Sequence, residues 1–328
     1  MPPRDGVYHS RMDIRQLKYF VAVAEHENFS RAATQLYVAQ SALSRRMQDL
    51  EDDLGVRLFD RHLRGAALTP EGRDLLERAR FLLRSFEQLR SDLGQSRSRP
   101  FGPVGVGMTP NFAAMVGASF AQQVVAQYPD AQLRIVEAYS PELRDMLRAG
   151  SIDMAVLSGN APAPVHSLAV EPLFEDRLCL IGPSSAPLMQ RAEIGVQQLK
   201  GLPLILTGMS SAGVRNELEA LASRKRVELS VALEVASIGL ATQMIRLGMG
   251  YTIYVGAGFA HDSELTAVPI TGLWLNRSLA WSTDRPMSRL GGEVLAMLRS
   301  HLGKIVRSGG WRGARPWRGS SARSKSSR

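Results

Sequence analysis

The stretch Gly94-Gln-Ser-Arg-Ser-Arg-Pro-Phe-Gly-Pro103 constrains this chain most, because the apolar residues change period across it. Before it they recur every three or four positions, as on a helix with one buried face. After it, strand-like apolar runs take turns with amphipathic helical patterns. Gly, Pro and Ser concentrated between two such regimes mark an interdomain joint. A chain of 328 residues also exceeds the ~250 that one hydrophobic core usually serves, so division is expected on length alone. The first part predicts an all-α module and the second an α/β domain. Strands are predicted at Val104–Met108, Gln132–Glu137, Met154–Leu157, Leu178–Gly182, Leu204–Thr207, Leu229–Val235, Tyr251–Val255 and Ser278–Ser282.

The net charge of +9 is informative only through its placement. Residues 1–99 hold 17 Lys and Arg against 14 Asp and Glu, residues 100–307 hold 17 of each, and the last 21 hold six basic and no acidic residues. Most of the excess sits in Ser308 to Arg328, a Gly-, Ser- and Arg-rich tail with too little apolar surface to offset its ordering entropy, so disorder is expected there. No apolar run approaches the ~20 residues of a membrane span and the N-terminus shows no apolar signal core, which points to a cytoplasmic protein with no membrane partner. Cys179 is the lone cysteine and lies in the apolar run Leu178 to Ile181, so it reads as a buried, inert strand residue. His9, His26, His62, His166, His261 and His301 are scattered, and neither a metal site nor a cofactor is expected.

In the first module Ile14, Leu17, Phe20, Val21 and Ala24 give a helix ending near Glu25. Ser30 offers an N-cap for a short helix through Leu36, and after a break at Tyr37, Val38 and Ala39 a third helix runs from Gln40 to Leu54, stopped by Gly55. Short helix, turn and longer helix make a helix-turn-helix, whose second helix enters the DNA major groove. Leu43, Met47, Leu50 and Leu54 form its core stripe. At about 100° per residue Ser41, Arg45 and Gln48 lie opposite, where they can reach base edges or phosphate. Asp52 shares that face and would repel phosphate, so only the N-terminal half should enter the groove.

Leu58 to Thr69 reads as a small hairpin, or wing, with Arg64 near its tip for a phosphate or minor-groove contact. Thr69, Pro70 and Glu71 then start a helix along which Leu75, Ala79, Leu82, Phe86, Leu89 and Leu93 alternate spacings of four and three. That is a coiled-coil seam, and a helix between two domains favours filling it by dimerisation.

In the α/β part Thr109, Ser140, Thr207 and Ser237 each follow a predicted strand and can cap a helix whose N-terminus favours an anion. Ligands in open α/β sheets bind beyond the carboxyl ends of strands. These hydroxyls therefore predict a carboxylate site, with no Lys or Arg assigned to it.

From Met12 to Leu93 the chain resembles the LysR-type transcriptional regulators, on Met12-Asp-Ile-Arg-Gln-Leu-Lys-Tyr-Phe, Phe29-Ser-Arg-Ala-Ala, Gln40-Ser-Ala-Leu-Ser-Arg, Leu50-Glu, Leu54-Gly, Leu58-Phe, Arg61 and Leu68-Thr-Pro-Glu-Gly72. Residues 101–306 resemble the regulatory domain of that family, weakly closest to the branch of nitrogen-assimilation control regulators. The resemblance implies a winged helix-turn-helix over 12–69 after an extension 1–11, and a linker and dimerisation helix over 70–95. A hinge over 96–103 leads to a two-lobed, periplasmic-binding-protein-like effector domain over 104–306, followed by a basic tail over 307–328. Lobe I would take 104–168 and 269–306, and lobe II 169–268. It further implies that Ser30 and Arg31 touch phosphate, that Gln40, Ser41, Ser44 and Arg45 read or position DNA, and that Arg64 is the wing contact. Effector contacts would come from Thr109, Ser140 and Thr207, with Met209 and Ile238 as apolar walls. The implied partners are double-stranded DNA carrying an interrupted palindrome, a second copy in a dimer of dimers, a small-molecule effector and RNA polymerase.

An enzyme is the main rival. Gly105-Val-Gly107 would have to be a dinucleotide fingerprint, but Pro110 stands at the third glycine position and the glycines lie inside a strand. The other rival is a solute-binding protein for transport, which would need export. A fused DNA-binding module argues against it, so the chain is expected to be a non-enzymatic regulator.

Overall fold

Asp13 starts the first helix. Its carboxylate accepts the Gln16 N–H at 2.7 Å while the Gln16 side chain accepts the Asp13 N–H at 2.9 Å, closing a capping box. The computed structural model describes residues 12–62, 65–93, 100–159, 167–207, 213–259 and 262–317, in two units, Met1–Ser98 and Arg99–Arg328. In the first unit α1 (Ile14–His26) buries Leu17, Phe20 and Val23, and Glu27 at φ 50° ends it. α2 (Phe29–Gln35) starts one residue before the expected cap, with Asn28 Oδ1 accepting the Arg31 N–H at 3.0 Å. Ser30 is thus an exposed residue inside the helix and not its cap.

α3 (Gln40–Leu54) has the predicted bounds and buries Leu43, Met47 and Leu50. Leu54 departs from the predicted core stripe at 37% exposure, because the last turn overruns the core before Gly55 turns the chain at φ 68°. β1 (Phe59–His62) and β2 (Gly65–Leu68) pair antiparallel as the wing. The wing is fastened to the α1–α2 turn, since the Ala66 N–H donates to the Glu27 carbonyl at 2.8 Å. A Cβ on Gly65 would stand 2.4 Å from that carbonyl oxygen, so only glycine permits the approach.

Thr69 Oγ1 accepts the Gly72 N–H at 3.0 Å and donates to the Arg57 carbonyl at 2.7 Å, capping α4 (Pro70–Leu93) as expected. The predicted seam divides along this helix. Ala79 is fully buried in the core of its own unit and Leu75 packs against that core beside Leu76 and Leu83, while an Arg80–Glu25 ion pair at 2.8 Å ties α4 to α1. Leu75 and Ala79 therefore serve the monomer's core. Leu82 and Leu89 remain 46% and 53% exposed, with half-buried Phe86 between them, and the Leu93 side chain lies outside the described ones.

The second unit is α/β. β3 (Gly102–Met108) leads into a continuous helical run of α5 (Pro110–Phe112), a π turn (Ala113–Gly117) and α6 (Ala118–Gln127). Then follow β4 (Ala131–Glu137), α7 (Ser140–Ala149), β5 (Met154–Ser158) and the long β6 (Leu168–Pro183). β7 (Leu204–Thr207), α8 (Gly213–Arg224), β8 (Val231–Val235), α9 (Ile238–Arg246) and β9 (Thr252–Val255) precede the equally long β10 (Leu265–Ser282). α10 (Arg289–Arg307) and β11 (Ala314–Pro316) complete it. The main sheet has the order β11-β6-β10-β5-β3-β4, with β9 also on β6, and β7 and β8 form a small parallel sheet. Gly107 lies inside β3 where a Cβ would be 2.6 Å from Ile152 and Leu143 side chains, so the glycines serve helix–sheet packing and not a cofactor turn.

β6 and β10 run antiparallel through both lobes. Phe174, Leu279 and Ala280 belong to the cores of the first lobe, whereas Leu178, Leu180, Leu273 and Leu275 belong to that of the second. The crossing hence falls at Glu175–Arg177 and Leu275–Arg277, inside the strands, and not at the expected 168/169 and 268/269 borders. Sequence breaks cannot mark it because neither strand is interrupted there by a turn.

The expectation of disorder from residue 307 onward meets an ordered segment. Trp311 is buried at 2% exposure against Phe112 and Phe174, and β11 pairs with β6 at Phe174–Asp176. On a Gly- and Arg-rich background Trp311 supplies apolar area that average composition conceals.

Candidate functional site

The first unit presents Arg31, Gln40, Ser41, Arg45 and Gln48 exposed on α2 and α3, with Ser44 half-buried and accepting from Gln40 Nε2 at 3.1 Å. Arg64 lies outside the described residues. Tyr37, which sequence reasoning treated only as a break, stands 95% exposed at φ 55° in the turn between the two helices. A fully exposed aromatic there is a surface feature of the DNA-facing motif and not a core residue.

In the second unit one cavity of about 150 Å³ lies between the lobes. Thr109, Ser140, Thr207 and Ile238 all line it, with Tyr139, Ser158, Ser237 and Tyr254, so four of the five expected effector residues come together. Met209 lies outside the described residues. Tyr139 bridges the lobes by donating its hydroxyl to the Ala236 carbonyl at 2.8 Å. Burial pushes the Tyr139 and Tyr254 phenols up, so both stay neutral donors. A volume of this size holds a benzene-sized guest.

The described hydroxyls do not all act as expected. Ser237 caps its helix, accepting the Leu240 N–H at 3.3 Å, whereas Thr109 at the N-cap of α5 makes no side-chain cap bond and Tyr139, not Ser140, stands at the N-cap of α7. Ser140 Oγ clips α7 to the end of β5 through the Ser158 N–H at 2.9 Å and carbonyl at 3.1 Å. Thr109 Oγ1 donates to Asn111 Oδ1 at 3.0 Å and accepts from Arg277 Nη1 at 3.3 Å, and the same Nη1 donates to Ser158 Oγ.

Arg277 is the residue that sequence reasoning missed. It is fully buried under the cavity, ion-paired through Nη2 with the equally buried Asp176 at 3.1 Å. Desolvation pushes the Asp176 carboxyl up, partly opposed by the Arg277 charge and by the Trp311 indole, which donates to Asp176 Oδ1 at 3.0 Å. No local signal marks it, since β6 also carries Glu171, Glu175 and Arg177 and β10 carries Asn276 and Ser278. Cys179 is buried as expected, its thiol pushed up to about 12 by desolvation.

A winged helix-turn-helix unit and a two-lobed α/β unit enclosing a small hydroxyl-lined cavity define a DNA-binding protein with a small-molecule-binding domain. Residues 14–73 match the bacterial regulatory helix-turn-helix protein, lysR family, and residues 97–303 match the LysR substrate binding domain. The HTH-type transcriptional regulator BbuR of Bordetella bronchiseptica is 29% identical over 93% of this chain and 94% of its own length. The nitrogen assimilation regulatory protein nac of Klebsiella aerogenes is 30% identical over 74% of this chain and 78% of its own. In fold, the crystal structure of full-length CbnR complexed with its target DNA is similar at a TM-score of 0.68 and 22% identity, covering 88% of this chain and 99% of that one. This chain belongs to the LysR family of DNA-binding transcriptional regulators. Its relatives are regulators and not enzymes. Among the described residues no helix is long and apolar enough to cross a membrane. Trp311 and Arg315 lie beyond the matched span.

Proposed function

We propose that this regulator acts in the cytoplasm, binds an interrupted palindrome as a dimer of dimers, and is switched by a small anionic metabolite, a carboxylate, held in the cavity by Thr109, Ser140 and Thr207. Contact with RNA polymerase would convey the switch to transcription. The observation that carries the anionic reading is Arg277 Nη1 donating to both Thr109 and Ser158 hydroxyls. Thr109 gives its own proton to Asn111 and Ser140 gives its to the Ser158 carbonyl, so what favours an anion is the positive charge of Arg277, which reaches these cavity-lining hydroxyls through Nη1. On the DNA side, Arg31 is assigned to phosphate, Gln40, Ser41, Ser44, Arg45 and Gln48 to reading or positioning, and Arg64 to the wing contact.

A ligand can shift lobe closure, and thereby bound DNA, only if it prefers one lobe arrangement. Calorimetry on the full chain with C3–C6 carboxylates and their amides tests the reading. Carboxylates are expected to bind at least tenfold more tightly than the amides, and Thr109→Val with Ser140→Ala is expected to abolish that preference. Equal affinity for acids and amides would refute it.

A further inference from the structure

The contacts under the cavity form one line. Thr109 and Ser158 hydroxyls meet Arg277 Nη1, Arg277 meets Asp176 Oδ2 through Nη2 at 3.1 Å and Nε at 3.4 Å, and Asp176 Oδ1 accepts the Trp311 indole N–H at 3.0 Å. Both ions are fully buried, so the pair is neutral and already matched. Among the described residues that line the cavity there is no Lys, Arg or His. We propose that the cavity takes up a small carboxylate together with one proton, that the proton is bound by Asp176, and that Trp311 sets how readily Asp176 accepts it. This inference rests on the anionic reading of the cavity.

The physical reason is charge matching. A bound carboxylate would place a second anion beside one buried guanidinium, and a net charge in a dry interior is removed by protonation when a site exists. The ligand lies in a cavity lined by hydroxyl groups, whereas Asp176 is fully buried and desolvation already pushes its carboxyl up. Its neighbours offer no other compensation. On β6, Glu175 is engaged by Arg315 at 2.6 Å and Arg177 by Glu193 at 2.5 Å; Cys179 and, on β9, Tyr254 are held neutral by burial. From β11, Arg315 also lies 3.5 Å over the Trp274 ring, fixing the segment that carries Trp311.

Trp311 is a positioning residue here, because its N–H favours ionised Asp176 without touching the ligand. Trp311→Phe retains an aromatic ring beside Phe112 and Phe174 and removes the donor together with the five-membered part of the indole. Losing a donor to the charged form makes protonation easier, so the pH profile of binding must move upward.

The test is calorimetry on the full chain between about pH 5 and 9, in buffers of different ionisation enthalpy, with propionate and benzoate against propionamide and benzamide. The acids are expected to bind with uptake of about one proton above the Asp176 midpoint, their affinity falling about tenfold per pH unit there, while amide binding stays flat. In Trp311→Phe the acid profile is expected to shift to higher pH. Acid binding with no proton uptake at any pH would overturn the inference and leave the anionic reading standing. Equal binding of acids and amides, or of none of the four, would overturn both. A Trp311→Phe profile coincident with that of the unaltered chain would overturn the role of Trp311, and if that variant fails to fold the proton count on the unaltered chain still decides the rest.

Discussion

Replacing Arg277 by Met leaves an apolar chain of similar length in the same slot and strands Asp176. Both partners are fully buried at 3.1 Å, so the loss is that of an uncompensated interior charge, ~3–5 kcal/mol. Thr109 and Ser158 each lose their guanidinium donor as well, about 1 kcal/mol apiece. The loss must depend on pH with a definite sign. Asp176 already titrates above the ordinary carboxylate range in the folded state, and without Arg277 it must titrate higher still. Between the unfolded and folded values the native state binds more protons, so stability is greatest at low pH and falls as pH rises through that window, by about 1.4 kcal/mol per unit. Urea denaturation of Arg277→Met at about pH 5 and pH 8 should therefore show the larger loss at the higher pH. Adding Asp176→Leu should recover most of it, since an apolar pair replaces a stranded ion. A single-variant loss below about 1 kcal/mol, or one equal at both pH values, would refute the reasoning.

Charged replacements of Leu82 and Phe86, the part of the α4 stripe outside the unit's core, should abolish dimers in analytical ultracentrifugation and operator binding with them, while leaving the first unit folded because Leu75 and Ala79 hold it. Dimers surviving through this helix would remove the seam assignment. Gln40→Ala and Ser41→Ala should change sequence preference in a mobility-shift assay, whereas Arg31→Ala should weaken all duplexes alike and flatten the salt slope by about 0.9. Equal losses for Gln40→Ala on operator and random DNA would exclude it from base reading.

The sequence by itself determined the elements whose causes are local. α3 could be bounded at Gln40 and Leu54 because its apolar stripe has helical period and Gly55 stops it, and Thr69 could be assigned as a cap from its neighbours Pro70 and Glu71. The gathering of Thr109, Ser140, Thr207 and Ser237 was legible too, since each stands at a strand end and ligand sites collect at such ends, whereas Ile238 came only from the family resemblance. What only the tertiary structure decided depends on partners distant in the chain. Asn28 displaced Ser30 as a cap because Glu27 turned the backbone first. Ala79 looked like half of a dimer seam until α1 covered it. Arg277, Asp176 and Trp311 stand on three separate strands or segments, 101 and 135 positions apart from Asp176, and nothing local distinguishes them from surface charges and a stray aromatic. Burial made them a site, because an ion pair and an indole donor matter in proportion to the water they have lost.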